Sequence, residues 1–263
     1  MEPRGVEAAA RMLIEARERR RRVETWPEAT RPRSFADAYA VQAAFARLWG
    51  PKVVGYKVGC ASEQSQKLAG SPGPILGRLF ASDCRPSPAL LAADGFFLVG
   101  VEAEFGFVIG EPPALGGAPC SRAQAAASVA AVLPMVEICD TRLADWRKAG
   151  IEQIVADNAF NGGLVLGRAE PDWRGLDLAR HEAALYVDDA LRGRGPGALV
   201  LGHPLDSLAW LATELARLGL GFAPGDMIAA GTCTGLHFVS PGARVRAEFG
   251  ALGQVEFEVG AAG

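Results

Sequence analysis

The feature that most constrains the fold is an apolar segment, Phe96 to Ile109, that carries two glutamates. Glu102 and Glu104 stand two positions apart within the run Val-Gly-Val-Glu-Ala-Glu-Phe. If this segment is a β-strand, both carboxylates point to the same face, because side chains alternate along a strand. The apolar neighbours predict a buried strand, where two like charges repel each other and resist losing their hydration. A cationic group is therefore expected close to them.

A second apolar segment, Pro134 to Ile138, supplies a third carboxylate, Glu137. Three carboxylates on buried strands suit a hard divalent cation, Mg²⁺ or Mn²⁺, whose remaining positions would hold water or substrate. The alternative is that the glutamates pair with Lys57 and nearby arginines, or that they lie on an exposed face of a sheet. The spacing alone leaves both interpretations open.

Lys57 lies between Gly55 and Gly59 in a segment typical of a β-strand. A lysine there could bind a substrate carboxylate or move a proton. Equally, it could be a lysine that protects an edge strand from pairing with another chain.

Two polar loops are further candidates for ligand binding. Asp157 and Asn158, followed by a pair of glycines, predict a turn, and such a turn can also present polar groups to a ligand. Thr232 lies in a loop bounded by Gly231 and Gly235, directly after an apolar run. The N–H groups of that loop could bind an anion, although a simple connection fits the pattern equally well.

The pattern along the chain predicts an α+β fold with a mixed β-sheet and peripheral helices. Amphipathic periodicity predicts a helix over residues 3–25, and Ser34 can cap a second helix that runs to about Leu48. Residues 1–50 are therefore predicted to be a helical N-terminal layer, and residues 51–263 a β-rich catalytic domain, in one structural unit. Further helices are predicted over residues 121–133, ended by Pro134, and over residues 208–218.

Composition and missing motifs exclude several classes of protein. The net charge of −3 gives no basic field for nucleic acid, and the longest apolar run, residues 125–135, is too short to span a membrane. Five scattered cysteines without a CxxC pair predict a reducing, cytoplasmic setting and no zinc site. Walker A, HExxH, GxSxG and Rossmann motifs are absent, and the three histidines stand far apart.

Several segments, in order, resemble the family of 2-keto-4-pentenoate hydratases and 2-oxohex-3-enedioate decarboxylases, within the fumarylacetoacetate hydrolase superfamily. The resemblance covers the chain from about Ser34 to Val259. It implies a rolled mixed β-sheet, often assembled as a homo-oligomer, in enzymes of aromatic compound catabolism. Its landmarks are residues 35–42, 55–59, 101–104, 134–140, 156–159, 203–211, 225–232 and 241–242.

The resemblance also implies roles for individual residues. Glu102, Glu104 and Glu137 match the metal carboxylates of the family, and Lys57 matches its active-site lysine. The hydratase pattern has an acidic residue where this chain has Ile75, so Asp83 or a water molecule is predicted to take over its work. Two other positions, Phe160 and His237, also depart from the usual pattern.

The resulting hypothesis is a lyase that adds water to a 2-hydroxy-2,4-dienoate through a metal-stabilised enolate, with Lys57 assisting proton transfer. Decarboxylation of a 2-oxo-enedioate is the nearest alternative, and there Arg78 could hold the distal carboxylate. Hydrolysis of an acylpyruvate ranks lower, because no histidine precedes Glu102. A non-catalytic subunit that assembles with a pathway enzyme is a further alternative.

Overall fold

Six α-helices form the periphery of the protein, whose computed structural model describes residues 1–261. Ser34 caps the second helix as predicted, because its side chain accepts a hydrogen bond from the Asp37 amide. His203 caps the last helix in the same way, through the amide of Leu205. The helices are α1 (Pro3–Glu18), α2 (Phe35–Trp49), α3 (Glu63–Ala69), α4 (Arg122–Ser128), α5 (Ile151–Ala156) and α6 (Pro204–Arg217).

Thirteen strands form two sheets within the described residues. The strands are β1 (Val53–Gly59), β2 (Ile75–Phe80), β3 (Cys84–Pro86), β4 (Ala89–Leu91), β5 (Gly100–Ile109), β6 (Val129–Cys139), β7 (Asn161–Leu166), β8 (Glu182–Val187), β9 (Ala190–Pro196), β10 (Met227–Thr232), β11 (His237–Phe238), β12 (Arg244–Glu248) and β13 (Gln254–Val259). The larger sheet has eight strands in the order β2-β1-β10-β5-β6-β7-β3, and β11 is added to β5.

The larger sheet is mixed and curls into a roll. Strands β1 and β10 are parallel, as are β3 and β7, whereas the other pairs are antiparallel. Strands β2 and β3 follow each other in the chain but lie at opposite ends of the strand order, and β2 also contacts β7. The inward face of the roll therefore encloses a small apolar core of its own, formed by Leu79, Leu133, Met135, Leu164 and Ala229.

A second sheet covers the outer face of the roll. It has five strands in the order β4-β13-β12-β8-β9. Phe105 on β5 packs against Phe249 with ring centroids 5.4 Å apart, and both side chains are fully buried. Most of the buried apolar side chains belong to this outer core, which makes it the main source of hydrophobic stabilisation. The α+β fold with a mixed rolled sheet and peripheral helices is confirmed.

The N-terminal helices are joined to the roll by buried polar contacts. The side chain of Gln42 on α2 donates to the carbonyl oxygens of Leu76 and Val155, each at 3.0 Å. The amide of Leu76 in turn donates to the Tyr39 hydroxyl at 3.3 Å. The layer of residues 1–50 thus contacts β2 and α5 directly.

The structure corrects the predicted helix over residues 121–133. Only Arg122–Ser128 is helical, and Val129 begins the long strand β6, which continues through Pro134 to Cys139. Pairing with β5 along nearly the whole length of β6 outweighs the helical propensity of the alanines. The helix predicted over residues 208–218 in fact begins at Pro204. Among residues 1–261, no helix is both long and apolar enough to cross a membrane.

Candidate metal centre

Three glutamates lie on the inward face of the roll, on two neighbouring strands. Glu102 and Glu104 are on β5, and Glu137 on β6 is the register partner of Glu102. Register partners in an antiparallel pair share a face, and so do positions two apart in one strand. The common face that the spacing of Glu102 and Glu104 predicts is therefore present. Glu104 and Glu137 are fully buried, whereas Glu102 is partly exposed.

Lys57 reaches this carboxylate cluster from β1. Its Nζ lies 3.1 Å from Oε1 of Glu137, and its side chain is 3% exposed. The same Oε1 accepts a hydrogen bond of 2.9 Å from Nδ2 of Asn161. Strand β1 lies between β2 and β10, so the interpretation of Lys57 as an edge-strand lysine is wrong. The pairing of a glutamate with Lys57, the alternative to metal binding, is present for Glu137.

Burial and mutual repulsion raise the pKa of two of the carboxylates. Burial, with repulsion from Glu137, raises the pKa of Glu102 to about 7. Burial and the charges of Glu137 and Glu102 raise the pKa of Glu104 well above its usual range. For Lys57, burial acts to lower the pKa, but Glu137 and the other nearby groups outweigh burial, and the pKa is raised. The charge of Lys57 therefore does not offset burial and the repulsion among the carboxylates.

The donor set fits a hard divalent cation. Oxygen atoms of Glu102 and Glu137 and Sγ of Cys139 all lie within 4.8 Å of one another. Oε2 of Glu137 is buried and has no hydrogen-bond partner among residues 1–261, which suits an atom that coordinates a bound ligand. Burial raises the pKa of the Cys139 thiol, so the carboxylates are the anionic donors. Glu104 lies beside this group, and its Oε2 accepts a hydrogen bond of 2.8 Å from the Gly231 amide.

A glycine on β2 makes room for the lysine. Gly77 is the register partner of Lys57, and a Cβ atom at Gly77 would lie 3.0 Å from Cγ of Lys57. The same Cβ atom would lie 2.7 Å from the carbonyl oxygen of Asn158. Both distances are shorter than ordinary packing allows, so the inward position of Lys57 depends on this glycine.

The side chains of Asp157 and Asn158, predicted to bind substrate, form hydrogen bonds and an ion pair within the protein. Asp157 forms a buried ion pair with Arg142 and accepts a hydrogen bond of 2.7 Å from the Thr141 hydroxyl. Asn158 accepts a hydrogen bond from the Arg78 amide at 2.7 Å and donates to the Arg78 carbonyl at 2.9 Å. These two side chains hold the backbone around the site and leave little hydrogen-bonding capacity for a ligand.

Thr232 lies at the site, whereas Arg78 lies away from it. Thr232 is the register partner of Glu104, and its hydroxyl accepts hydrogen bonds from the amides of Thr234 and Gly235. Arg78 is the partner of Tyr56, so its side chain is on the face opposite to Lys57, 5.9 Å from the Tyr56 ring centroid. The structure does not bring Arg78 to the carboxylates.

Asp83, the predicted replacement for an acidic residue, pairs with the N-terminal layer. Its Oδ1 lies 2.7 Å from Nη2 of Arg17 on α1 and 3.0 Å from the Ser82 hydroxyl. Ile75 is buried on β2, beside the position of Gly59. The side chain of Asp83 thus connects the segment just before β3 to helix α1, and it does not contact Lys57.

Sequence reasoning missed several residues of the site: Asn161, which contacts Glu137; Cys139, which donates to Glu102 at 3.4 Å; and Gly77. Asn161 follows a turn in which Asn158, Ala159 and Phe160 all have positive φ angles, of 61°, 52° and 69°. A run of three non-glycine residues in the left-handed region has no clear sequence signal, because the side chains that stabilise it come from distant segments. Cys139 is the register partner of Gly100, so extending the two predicted strands to these residues would have brought Cys139 to the site.

Comparison with known proteins decides the family. The C-terminal domain of fumarylacetoacetate hydrolase matches residues 85–260, and a 2-keto-4-pentenoate hydratase from Paraburkholderia xenovorans is 31% identical over 98% of this chain and 96% of its own. The chain belongs to the fumarylacetoacetate hydrolase family. Within that family it is similar to the group of hydratases and decarboxylases that the ordered segments indicate.

Other members of the fumarylacetoacetate hydrolase family that resemble this chain include decarboxylases. A 4-oxalocrotonate decarboxylase from Pseudomonas putida is 32% identical over 88% of this chain and 86% of its own. A solved structure of 4-oxalocrotonate decarboxylase from Pseudomonas putida, complexed with magnesium and adipate, has a TM-score of 0.91 at 28% identity. The two structures match over 98% of this chain and 98% of the decarboxylase chain.

Proposed function

We propose that this protein is a lyase that adds water to a 2-hydroxy-2,4-dienoate of the 2-keto-4-pentenoate type, with Mg²⁺ or Mn²⁺ as cofactor. The observation that supports it most is the buried group of three glutamates and one lysine inside the roll. Relatives named as 2-keto-4-pentenoate hydratases, similar over nearly the full chain, support the same reaction.

Glu102, Glu104 and Glu137 would hold the metal ion. A bound Mg²⁺ or Mn²⁺ would polarise the 2-oxo group and stabilise the negative charge that develops on its oxygen. Lys57 keeps its proton beside Glu137, so its ammonium can bind the substrate carboxylate. Its place beside the glutamates also allows it to assist proton transfer to the substrate. Asn161 fixes the orientation of the Glu137 carboxylate. Burial of Lys57 and Glu137 strengthens their electrostatic contact, because the local dielectric constant is lower than in water.

Decarboxylation of a 2-oxo-enedioate is the second candidate, because a 4-oxalocrotonate decarboxylase shares the fold so closely. The two reactions need the same metal and the same lysine, and they differ in what the distal end of the substrate carries. Arg78 would have been the cation for a distal carboxylate, but its side chain lies on the other face of the sheet. This placement favours the hydratase.

An assay of the Mg²⁺-loaded protein with 2-hydroxypenta-2,4-dienoate and 2-oxohex-3-enedioate, side by side, tests the proposal. We expect loss of the dienoate absorbance and appearance of 4-hydroxy-2-oxopentanoate by NMR. Turnover of the di-acid alone, with release of CO₂, would identify a decarboxylase. Turnover of neither, together with no binding of Mg²⁺ or Mn²⁺ by calorimetry, would favour a non-catalytic subunit.

Two substitutions test the assigned residues. Glu104→Gln keeps an acceptor for the Gly231 amide but cannot ionise to bind a cation, so we expect weaker metal binding and loss of turnover. Lys57→Met keeps the apolar stem and removes the charge, and turnover should fall at least about a hundredfold, the contribution typical of a positioned proton donor. Lys52→Met, at an exposed lysine nearby in sequence, is the matched control and should leave turnover unchanged.

The setting of the enzyme is also part of the proposal. All five cysteines are free, which suits a reducing cytoplasm. We propose a homo-oligomer that acts on small 2-oxo acids, with a complex with a pathway enzyme as a further possibility for its assembly. Light scattering of the purified protein, alone and with a candidate partner, tests both statements.

A further inference from the structure

Four apolar side chains lie near the partly exposed Glu102 of the carboxylate cluster. We use the name apolar rim for Trp146, Phe160, Leu236 and Phe238. The ring centroids of Trp146 and Phe160 lie 4.9 Å apart, and those of Trp146 and Phe238 lie 6.1 Å apart. Leu236 and Phe238 are 37% and 46% exposed, so both present apolar surface to solvent beside the rings of Trp146 and Phe160.

The strand register places this rim on the same face of the sheet as the glutamates. Phe238 on β11 is the register partner of Gly100, which stands two positions before Glu102 on β5. Leu236 extends over the same glycine, because a Cβ atom at Gly100 would lie 2.7 Å from Cδ1 of Leu236. That Cβ atom would also lie 2.9 Å from the Cβ of Cys139, the residue that donates to Glu102. The rim therefore begins where the carboxylate cluster ends.

The other side of the rim is tied to the cluster through the left-handed turn. Phe160 is the last residue of that turn, and the next residue, Asn161, donates to Glu137. Glu102, the partly exposed carboxylate of the cluster, stands two positions after Gly100 on β5, the glycine that Phe238 pairs with and Leu236 covers. A substrate whose 2-oxo acid head lies at the glutamates would thus extend its distal end between the four side chains of the rim.

We propose that the apolar rim binds the distal end of the substrate and selects an alkyl or aryl group over a carboxylate. This inference rests on the proposed function, because it assumes that the 2-oxo acid head lies at the glutamates. Burying an apolar group against the rim is favourable, whereas a carboxylate would lose hydration there without a partner inside the rim. The exposed Arg147 stacks over the Trp146 ring with Cζ 4.3 Å from the ring centroid, and it is the cation that a distal carboxylate would have to draw away from that contact.

Binding of two non-reacting ligands measures the selectivity without turnover. 2-Oxohexanoate and 2-oxohexanedioate share the 2-oxo acid head and differ in a terminal methyl or carboxylate. By calorimetry on the Mg²⁺-loaded protein, we expect the mono-acid to bind at least about tenfold more tightly, and affinity to rise up to about fourfold for each added methylene group. Equal affinities, or tighter binding of the di-acid through Arg147, would overturn the proposal.

Phe238→Ala tests the rim itself, with Leu90→Ala as the matched control. Leu90 is 72% exposed and lies on β4 of the other sheet. We expect Phe238→Ala to reduce the preference for 2-oxohexanoate about fourfold or more, and Leu90→Ala to preserve it. If Phe238→Ala instead changes the oligomeric state in size-exclusion chromatography and leaves the preference intact, the rim is a subunit interface and the proposal is wrong.

Turnover separates this inference from the proposed function. The native protein is assayed with 2-hydroxypenta-2,4-dienoate and with its longer 5-propyl homologue, and kcat/KM should favour the homologue. If neither dienoate is converted but the binding preference for the apolar tail persists, the proposed reaction fails and the rim retains its role in binding. If both are converted equally and binding shows no preference, the reaction stands and the rim proposal fails.

Discussion

At the scale of single residues, protons and a metal ion compete for the carboxylates of the cluster. Glu102 has a pKa raised to about 7, and the pKa of Glu104 is raised well above its usual range. Metal ligands must be deprotonated, so a divalent cation has to displace these protons when it binds. The environment that raises these two pKa values thus makes metal binding depend on pH.

We expect the apparent affinity for Mg²⁺ to rise with pH. Between about pH 6 and about pH 8, Glu102 changes from mostly protonated to mostly ionised, so affinity should increase about tenfold for that one proton. Calorimetry in buffers of different ionisation enthalpy should record the released protons. An affinity that stays constant across this range, with no proton release, would mean that these glutamates are not the ligands.

Gly77 illustrates how a missing side chain positions a charged one. We expect Gly77→Ala to destabilise the protein by about 1–3 kcal/mol, because the new Cβ meets the Asn158 carbonyl and the stem of Lys57. Turnover should fall by more than the loss of folded protein explains, since Lys57 must move away from Glu137. Gly221→Ala is the control, because a Cβ there has open space around it. Denaturant unfolding and kcat, measured on both variants, check the prediction.

At the scale of elements, the left-handed turn before β7 is held by one buried ion pair. Arg142 pairs with the Asp157 carboxylate and also donates to the carbonyl oxygens of Asp157 and Asn161. Each left-handed non-glycine residue costs about 1–2 kcal/mol, so the turn needs such support. The ion pair therefore acts on the site through Asn161, which follows the turn.

Asp157→Ala should destabilise the protein by roughly 3–5 kcal/mol, because it leaves the Arg142 guanidinium buried without its partner. Asp145→Ala removes the partner of Lys148 from an exposed pair and should leave the free energy of unfolding nearly unchanged. Urea unfolding of both variants gives the comparison. If Asp157→Ala raises KM and leaves the free energy of unfolding unchanged, Asp157 binds substrate, as the sequence pattern allowed.

The same elements show what the sequence can and cannot predict. The common face of Glu102 and Glu104 follows from strand alternation, a local rule, and the predicted helix at Ser34 follows from its cap. Strand β6 was predicted partly as a helix, because its alanines favour a helix locally and its pairing with β5 is non-local. The space for Lys57 at Gly77 and the turn stabilised by Arg142 could not be predicted either, because each depends on contacts between segments far apart in the chain.

At the scale of the whole molecule, the N-terminal layer is connected to the strands that carry the site. Gln42 and Tyr39 on α2 contact the backbone of Leu76 on β2, and Arg17 on α1 pairs with Asp83 just before β3. Leu76 precedes Gly77, the residue that makes room for Lys57. Because these polar contacts are mostly buried, separating the layer from the roll would leave several groups without partners.

We therefore expect residues 1–50 to unfold together with the rest of the chain in one transition. Trp26 and Trp49 report on the layer, and the other tryptophans, Trp146, Trp173 and Trp210, report on the remainder. The urea transition followed by fluorescence should have the same midpoint in the native protein and in the double variant W26F/W49F, after correction for any change in stability measured by circular dichroism. Within each protein, fluorescence and circular dichroism should coincide, as two-state unfolding requires. An early fluorescence change that is present in the native protein and absent from W26F/W49F would instead show that the layer separates first. The contacts of Lys57 with Gly77 and Glu137 would then not depend on the N-terminal helices.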